Sequence, residues 1–312
     1  MAYYIRNPRC FYAIIKNFRW TRTLHYLLLF MAGMMFIYHH PPVPDPSLEG
    51  QFGYLTTIWK HPIDLFGIFM AALSLFLSFQ SAVIFNDIFD YEIDVVSNPN
   101  RPLVTKAISF SEFRLVGRIF VILALTIAFC ISETFFFFIL LYHLFSFLYS
   151  APPFRLRRYL LISNLELATI FILTFHAGTV ALVTNYQFEN VPPYITFGLL
   201  LSYALALTVK DAKDYEGDKQ LQVQTVYTLF GMKTGNILTV VFVCSAILLT
   251  PLLLHLLHLL LFSAIICAIF LLVIMMVKNR KLKEGLIISL YYLYSFVLYF
   301  FLIFYHFPDS CP

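Results

Sequence analysis

Charged residues are scarce in this sequence: Asp, Glu, Lys and Arg make up only 12% of its 312 residues. Hydrophobic residues account for 60%, phenylalanine alone occurs 35 times, and the mean hydropathy is +0.80. A soluble domain of this length needs far more polar surface, so the composition excludes that class. The chain is therefore expected to be an integral membrane protein.

Cysteine is also sparse and shows no paired spacing. The five cysteines include no CxxC pair, and three of them lie inside apolar runs. This pattern excludes a disulfide framework and a cysteine metal site. The slight net charge of +4 gives no reason to expect nucleic acid as a partner. The basic N-terminus has no small-residue cleavage site, so it does not have the pattern of a cleaved signal peptide.

What the sequence does contain is a series of long apolar runs. A helix needs roughly 20 apolar residues to cross the hydrocarbon core of a bilayer. We therefore predict an all-α, polytopic membrane protein with nine transmembrane helices, near 24–38, 65–85, 107–130, 134–151, 159–183, 193–209, 235–255, 258–277 and 285–306. These spans form one domain over 24–306, between a cytoplasmic basic segment at 1–23 and a short tail at 307–312.

The distribution of basic residues gives an independent check on this count. Cytoplasmic loops of membrane proteins carry an excess of Lys and Arg. With a cytoplasmic N-terminus and nine alternating spans, all of the 21 basic residues except Lys60 fall on the cytoplasmic side. Nine spans with a cytoplasmic N-terminus is therefore the predicted topology.

One acidic pattern occurs twice on that same side. Residues 86–94 read NDIFDYEID, and residues 210–218 read KDAKDYEGD. Each copy spaces three aspartates at i, i+3 and i+7, which would place three carboxylates along one face of an α-helix. The aspartates are Asp87, Asp90 and Asp94 in the first copy and Asp211, Asp214 and Asp218 in the second. Like charges held this close predict a cation between them, and ligands that are all oxygen indicate Mg²⁺.

Such carboxylate clusters suit diphosphate chemistry. Mg²⁺ usually takes one or two protein carboxylates and completes its coordination with water and phosphate oxygens. An allylic diphosphate leaves once its charge is neutralised, which Mg²⁺ and nearby basic side chains favour. The carbocation that remains must be shielded from water, and a dry cavity with aromatic walls provides that shielding. Tyr149 is a candidate for such a wall.

Three motifs in this order resemble the UbiA-type intramembrane prenyltransferases. The first is NDxxDxxxD at 86–94, continued by SNPNRPL at 97–103; the second is YSAPPFRLRR at 149–158; the third is the KDxxDxEGD form at 210–218, followed by Thr225 and Gly231. The resemblance implies nine transmembrane helices around a central cavity with the aspartate motifs at its cytoplasmic mouth. It also implies a prenyl diphosphate donor, a lipophilic acceptor and an opening to the lipid bilayer.

The resemblance and the residue types together give a set of candidate site residues. The candidate metal ligands are Asn86, Asp87, Asp90, Asp94, Asp211, Asp214 and Asp218, of which Asp90, Asp94, Asp214 and Asp218 are expected to be needed for catalysis. The candidate substrate contacts are Asn86, Arg101, Tyr149, Arg157, Lys210, Asn164 and Glu166. Guanidinium groups suit diphosphate oxygens. Asn164 and Glu166 lie inside a span, where a packing hydrogen bond is an equal alternative, and Glu166 competes with the motif aspartates as the base.

The motifs leave the acceptor open. PNRPL and DYEID resemble archaeal-type geranylgeranylglyceryl phosphate enzymes, whereas YSAPPFRLRR and EGDKQLQVQT resemble homogentisate, quinone-precursor and chlorophyll enzymes. We favour an aromatic acceptor, and a transferase acting on phosphoribosyl diphosphate and polyprenyl phosphate is a further alternative. The competing class is a cation-coupled transporter, whose carboxylates would bind the transported ion near the bilayer midplane.

Overall fold

The computed structural model describes residues 12, 14–15, 17–39, 65–181, 191–276 and 280–304. Within these ranges the chain forms helices and no strands, which confirms the all-α prediction. Nine helices have 14 residues or more: α1 (Trp20–His39), α2 (Leu65–Phe89), α4 (Phe110–Ile131), α5 (Glu133–Ser150), α6 (Leu160–Val180), α7 (Pro193–Ala206), α9 (Val226–Leu253), α10 (Leu260–Met276) and α11 (Arg280–Phe304). Two more are short, α3 (Tyr91–Ser97) and α8 (Tyr215–Gln220).

Eight of these helices are long and apolar enough to cross a membrane. The helix outside that set is α1, whose first two turns carry Arg22, Thr23 and His25. The predicted break near 256–258 is confirmed, because α9 and α10 are separate candidate spans. The count of nine crossings and the cytoplasmic N-terminus remain predictions. Most of the predicted N-terminal segment and all of the tail at 307–312 lie outside the described residues.

The helix ends follow local sequence signals. Ser109 caps α4 through a reciprocal pair of hydrogen bonds with Glu112, and Ser132 caps α5 by accepting from the Phe135 amide at 3.1 Å. Pro193 is the first residue of α7, a position that needs no backbone donor. The two serine caps satisfy amide groups that have no partner inside the helix, and they fix the residues at which α4 and α5 begin.

The long helices pack as a ring in which each contacts its neighbours in the chain, and α11 closes the ring against α1. An additional contact joins α1 to α6 across the ring. A Cβ atom built on Gly33 would lie 2.0 Å from the Phe175 carbonyl oxygen, and one built on Gly178 would lie 2.0 Å from that of Phe30. Only glycine permits this approach of two backbones, as at other small-residue helix crossings in membranes.

Both aspartate motifs interrupt a long helix in the same way. α2 ends at Phe89 and α3 begins at Tyr91, so Asp90 occupies the turn between them with φ −98° and ψ 11°. In the second copy a 3-10 segment, Leu207–Ala212, precedes α8, and Asp214 has φ −91° and ψ 5°. The expected single straight helix face is therefore wrong for both copies, since each is divided at its middle aspartate.

A candidate active site at the cavity mouth

The two short helices that follow the motif turns lie against each other. Gly217 makes the contact: a Cβ atom there would lie 2.6 Å from Ser97 Oγ and 2.9 Å from the Ile93 carbonyl oxygen. The Gly217 amide donates to Ser97 Oγ at 3.1 Å, and that hydroxyl donates to the Asp214 carbonyl at 3.3 Å. The two copies of the repeat are thus adjacent in space, although more than 100 residues separate them in the chain.

Two side chains connect the carboxylates of one motif to those of the other. Asn98 donates to Asp94 Oδ1 at 3.0 Å and to Asp214 Oδ1 at 2.9 Å. Arg157 forms an ion pair with Asp90 through Nη1 and lies 3.3 Å from Asp218 Oδ1 through Nη2. Arg157 Nε is buried and has no hydrogen-bond partner in the described part of the chain. One buried donor of this guanidinium is therefore unused beside a carboxylate of each motif.

Asp87 differs from the other motif aspartates because its carboxylate is paired with two arginines. Its Oδ1 is paired with Arg101 and lies 2.7 Å from Arg19 Nη2, while Oδ2 accepts from Asn17 Nδ2 at 3.0 Å. The residue is only 2% exposed and does not line the cavity described below. Asp87 thus connects the segment before α1 to the SNPNRPL extension, through Arg101.

The remaining polar residues of the motifs form local pairs. Asn86 Nδ2 donates to Asp90 Oδ2 at 2.6 Å and to Ser150 Oγ at 3.1 Å, and it thereby joins the first motif to the end of α5. Lys210 Nζ lies 3.2 Å from Asp211 Oδ1 and donates to Asn164 Oδ1 at 2.8 Å. Asn164 therefore contacts the site through Lys210.

A large cavity opens beside these carboxylates and has a volume of about 1560 Å³, its open mouth included. Asn86, Asp90, Asp94, Asp211, Asp214 and Asp218 line it, together with Arg101, Arg157 and Lys210. The rest of its wall is mainly apolar and aromatic, and includes Tyr26, Phe79, Tyr142, Tyr149, Phe171, Tyr203, Tyr291 and Tyr292. On α1 the wall ends at Tyr26 and on α6 at Phe171, so the crossing at Gly33 and Gly178 lies just beyond the cavity.

The charged groups at the mouth are poorly solvated. Burial raises the pKa of the Asp94 carboxyl to about 7 and that of Asp218 also to about 7, although Asn98 and Arg157, respectively, oppose these shifts. Burial also lowers the pKa of the Arg101 guanidinium to about 9, and the neighbouring Arg19 acts in the same direction. Carboxylates whose ionised form is this poorly stabilised gain from a cation bound beside them.

Most of the predicted site residues come together, but three stand apart from the cavity wall. Asp87 is paired with two arginines, and Asn164 is bound by Lys210. Glu166 is 5% exposed, and neither carboxylate oxygen has a hydrogen-bond partner among the described residues. His25 and Tyr203 also line the cavity. The sequence did not predict this, because neither residue lies in one of the three motifs.

Comparisons with known proteins agree with this architecture. Residues 52–296 match the UbiA prenyltransferase family. Two solved structures share the fold: a UbiA homologue from Archaeoglobus fulgidus bound to GPP and Mg²⁺ (TM-score 0.57, 20% identity, 89% of this chain and 97% of that chain) and one from Aeropyrum pernix K1 in its apo form (TM-score 0.59, 15% identity, 91% and 96%).

Similar proteins include archaeal and chloroplast enzymes. The chain is 30% identical over 208 residues to digeranylgeranylglyceryl phosphate synthase from Methanocaldococcus jannaschii, covering 66% of this chain and 70% of that protein. It is 36% identical over 159 residues to a probable chloroplastic homogentisate phytyltransferase 2 from Oryza sativa, covering 47% of this chain and 41% of that protein. The family match covers most of the sequence, and the fold and motif positions agree with it. The chain belongs to the UbiA prenyltransferase family.

Proposed function

We propose that this protein transfers a prenyl group from a prenyl diphosphate to a lipophilic acceptor in a Mg²⁺-dependent reaction. The observation that carries the proposal is the composition of one cavity: carboxylates of both motifs and basic side chains lie at its mouth, and aromatic side chains form its deeper wall. A diphosphate with metal ions requires the charged mouth, and an allylic cation with its prenyl tail requires the aromatic wall.

The donor set at the mouth fits Mg²⁺. All of the candidate ligands are hard oxygen donors, and two of the carboxylates gain from added positive charge, as their raised pKa values indicate. Asn86, Asp90 and Asp94 would hold the metal on one side, and Asp211, Asp214 and Asp218 on the other. No three such side chains in the described part of the chain converge enough to enclose an ion alone. We therefore assign the remaining coordination positions to diphosphate oxygens and water. When bound, Mg²⁺ neutralises charge on the departing diphosphate.

Arg157, Arg101 and Lys210 are the proposed diphosphate contacts. The unused Nε donor of Arg157 supports this role, because a phosphate oxygen would satisfy a buried group that otherwise has no partner. Arg101 and Lys210 lie in the same wall and are each already paired with a carboxylate. We do not include Asp87 among the proposed metal ligands. We assign it to the orientation of Arg19 and Arg101 instead of metal binding.

The aromatic wall supports the second half of the reaction. Tyr26 stacks on Phe171 with centroids 4.4 Å apart, and Phe171 stacks on Tyr203 at 4.2 Å. Faces of this kind stabilise a nearby cation, and the apolar surroundings keep water away from it. Tyr149 lies in the same cavity wall as Asp90 and Arg157, so we assign it to the region where the prenyl carbon leaves the diphosphate.

The acceptor class is part of the proposal. We favour an aromatic acceptor, as the YSAPPFRLRR and EGDKQLQVQT segments indicate. The main alternative is a glyceryl lipid acceptor, as in the archaeal relative. Family membership leaves the cation-coupled transporter without support. By the positive-inside pattern, the cavity mouth would face the cytoplasm.

A panel assay tests the reaction and the acceptor together. Purified protein in lipid nanodiscs is incubated with labelled farnesyl or geranylgeranyl diphosphate, each with homogentisate, geranylgeranylglyceryl phosphate or no acceptor, and with Mg²⁺ or EDTA. A separate reaction contains phosphoribosyl diphosphate and polyprenyl phosphate. We expect a prenylated product that requires both an acceptor and Mg²⁺, with homogentisate preferred. Full turnover in EDTA, or no acceptor-dependent product anywhere in the panel, contradicts the proposal.

A further inference from the structure

His25 is a buried histidine in the wall of the cavity, outside every motif. It lies on α1, six residues after Arg19, which corresponds to roughly 9 Å along the helix axis. Arg19 contacts Asp87 in the first motif, so His25 lies deeper in the bundle than the carboxylate mouth. It therefore lies in the part of the cavity wall that follows the carboxylates, among the aromatic side chains that an acceptor would contact.

The neighbours of His25 fix the position of its ring and occupy one of its nitrogens. The imidazole stacks on Tyr292 with centroids 4.3 Å apart and an interplanar angle of 10°. Its Nε2 lies 3.0 Å from the Tyr203 hydroxyl, which is in turn hydrogen-bonded to the Tyr299 hydroxyl. The described residues make no hydrogen bond to Nδ1. The Tyr203 hydroxyl therefore occupies one ring nitrogen, and Nδ1 has no partner among the described residues.

This arrangement suits a proton acceptor. If Tyr203 donates to Tyr299, its oxygen accepts a hydrogen bond from Nε2–H, and the lone pair of the imidazole is then on Nδ1. A proton added at Nδ1 gives an imidazolium whose face lies against the Tyr292 ring and whose Nε2–H retains its partner. Burial disfavours a charged ring, and cation-π attraction and the retained hydrogen bond offset part of that cost. A positioned imidazole with these supports is a typical general base.

We propose that His25 is the base that removes the proton from the acceptor, with Tyr203 as the residue that positions it. The inference rests on the proposed function and adds a step to it. The bond between the prenyl C1 and the diphosphate oxygen breaks, and its electron pair leaves with the diphosphate. A new bond forms between C1 and the nucleophilic atom of the acceptor. The proton released from that atom goes to His25 Nδ1.

The competing candidates for the base are less well placed. Glu166 does not line the cavity. Asp90 and Asp218 are held by Arg157, and Asp94 and Asp214 are held by Asn98. Asp211 is paired with Lys210. The contacts of His25, in contrast, orient its ring and leave Nδ1 without a partner among the described residues.

The test compares His25→Ala with a matched histidine variant, His176→Gln. His176 is also buried in the bundle, where it contacts Thr196 Oγ1 at 3.1 Å, but it lies outside the cavity wall. Three quantities are measured for each protein: Mg²⁺-dependent binding of geranylgeranyl diphosphate, turnover with homogentisate, and the isotope effect on turnover with ring-deuterated homogentisate. Tyr203→Phe serves as a second variant because it removes only the hydroxyl partner of the imidazole.

We expect His25→Ala to bind the donor as the wild type does and to lose turnover by about 100-fold. A primary isotope effect should appear in this variant because proton removal becomes rate-limiting. Added imidazole should restore turnover, whereas pyrrole, which has the same ring size but no basic nitrogen, should not. Tyr203→Phe should lower kcat by about tenfold with an unchanged KM for the donor, and His176→Gln should match the wild type.

Several results would overturn the inference. These are His25→Ala turnover within about threefold of the wild type, an equal loss of donor binding and turnover, or equal rescue by pyrrole. If His25→Ala does not fold, an unchanged kcat in Tyr203→Phe rejects the inference in the same way. If the wild-type protein has no transferase activity with any acceptor, the proposed function itself fails, and that outcome is distinct from a failure of the His25 assignment.

Discussion

At the scale of single residues, Arg157 has the contact that most directly couples the two motifs, since it pairs with Asp90 and Asp218. We predict that Arg157→Ala lowers kcat/KM for the prenyl diphosphate by roughly 10- to 100-fold, because one charge-assisted contact contributes about 1.5 to 3 kcal/mol. Arg157→Lys should recover only part of this loss, since an ammonium lacks the planar fork that spans two carboxylates. Steady-state kinetics with varied donor concentration measures both changes.

The adjacent Arg158 provides the control for that prediction. Its side chain is exposed and lies outside the main cavity wall. Arg158→Ala should therefore leave kcat/KM within about twofold of the wild type. Equal losses for the two arginines would mean that general surface charge, and not the bridge between the motifs, accounts for the effect.

Asp87 gives a second prediction at this scale. Because its carboxylate is buried between Arg19 and Arg101, Asp87→Asn should reduce the free energy of unfolding by roughly 3 kcal/mol. The Mg²⁺ concentration that gives half-maximal activity should change little, because Asp87 does not line the cavity. Thermal unfolding and a Mg²⁺ titration of turnover separate these effects. An unchanged melting temperature with a much higher Mg²⁺ requirement would identify Asp87 as a metal ligand.

The sequence predicted the chemistry of individual residues better than their partners. Spacing and residue type were sufficient to select the aspartates at the mouth, and the resemblance to the family added Arg101, Arg157 and Lys210. Spacing could not separate Asp87 from Asp90, because the pairing of Asp87 with Arg19 joins residues 68 positions apart. His25 gave no signal either. Its position in the wall depends on the packing of α1 against α11, which no local pattern encodes.

At the scale of helices, the crossing of α1 and α6 determines how the end of the cavity is closed. We predict that Gly33→Ala and Gly178→Ala each lower the melting temperature and the turnover, because either new Cβ would lie 2.0 Å from a carbonyl oxygen of the other helix. The helices must then separate, and this movement displaces Tyr26 and Phe171 in the cavity wall. Thermal unfolding and turnover measured on the same preparations check this expectation.

Gly285 provides the control for the Gly33→Ala and Gly178→Ala variants. It lies on α11, and no other atom would come within 4 Å of a Cβ atom there. Gly285→Ala should preserve both stability and turnover, with a small gain in stability from helix propensity. If Gly33→Ala and Gly178→Ala behave like Gly285→Ala, the close crossing is not required.

Helix positions were largely predictable from hydrophobic run length, because a membrane sets the length of a span. The predicted spans 65–85 and 193–209 correspond to Leu65–Phe89 and Pro193–Ala206. The breaks inside the motifs were not predictable, since neither Asp90 nor Asp214 is next to a proline and helix-period spacing continues through both. The predicted span 235–255 also began too late, because α9 starts at Val226. Gly231, which adopts φ +75°, divides the helix near this start.

At the scale of the whole molecule, the predicted topology places α1 as the first of nine crossings. In a variant without native cysteines, Trp20→Cys should be labelled from the same side of the membrane as Lys106→Cys. Tyr38→Cys should be labelled from the opposite side, together with Glu133→Cys. The positive-inside pattern assigns the Lys106 side to the cytoplasm. A membrane-impermeant maleimide applied to sealed vesicles of known orientation measures the accessibility of each position.

Accessibility of Trp20→Cys and Tyr38→Cys from the same side would show that α1 does not cross the bilayer. Eight crossings would then remain, in agreement with the eight helices that are long and apolar enough to span. Labelling of Lys106→Cys only from the non-cytoplasmic side would invert the topology and place the cavity mouth outside the cell.

The most direct test of the central claim is Mg²⁺-dependent prenyl transfer by Asp90→Asn and Asp214→Asn. Glu92→Gln and Glu216→Gln serve as controls, since these exposed carboxylates lie on the same short helices and outside the main cavity wall. If the two motifs together hold a metal-bound diphosphate, each aspartate variant will still be folded at the assay temperature and will lose at least about 100-fold in turnover. Both glutamate variants will remain active. Near wild-type transfer by Asp90→Asn or Asp214→Asn would contradict the account.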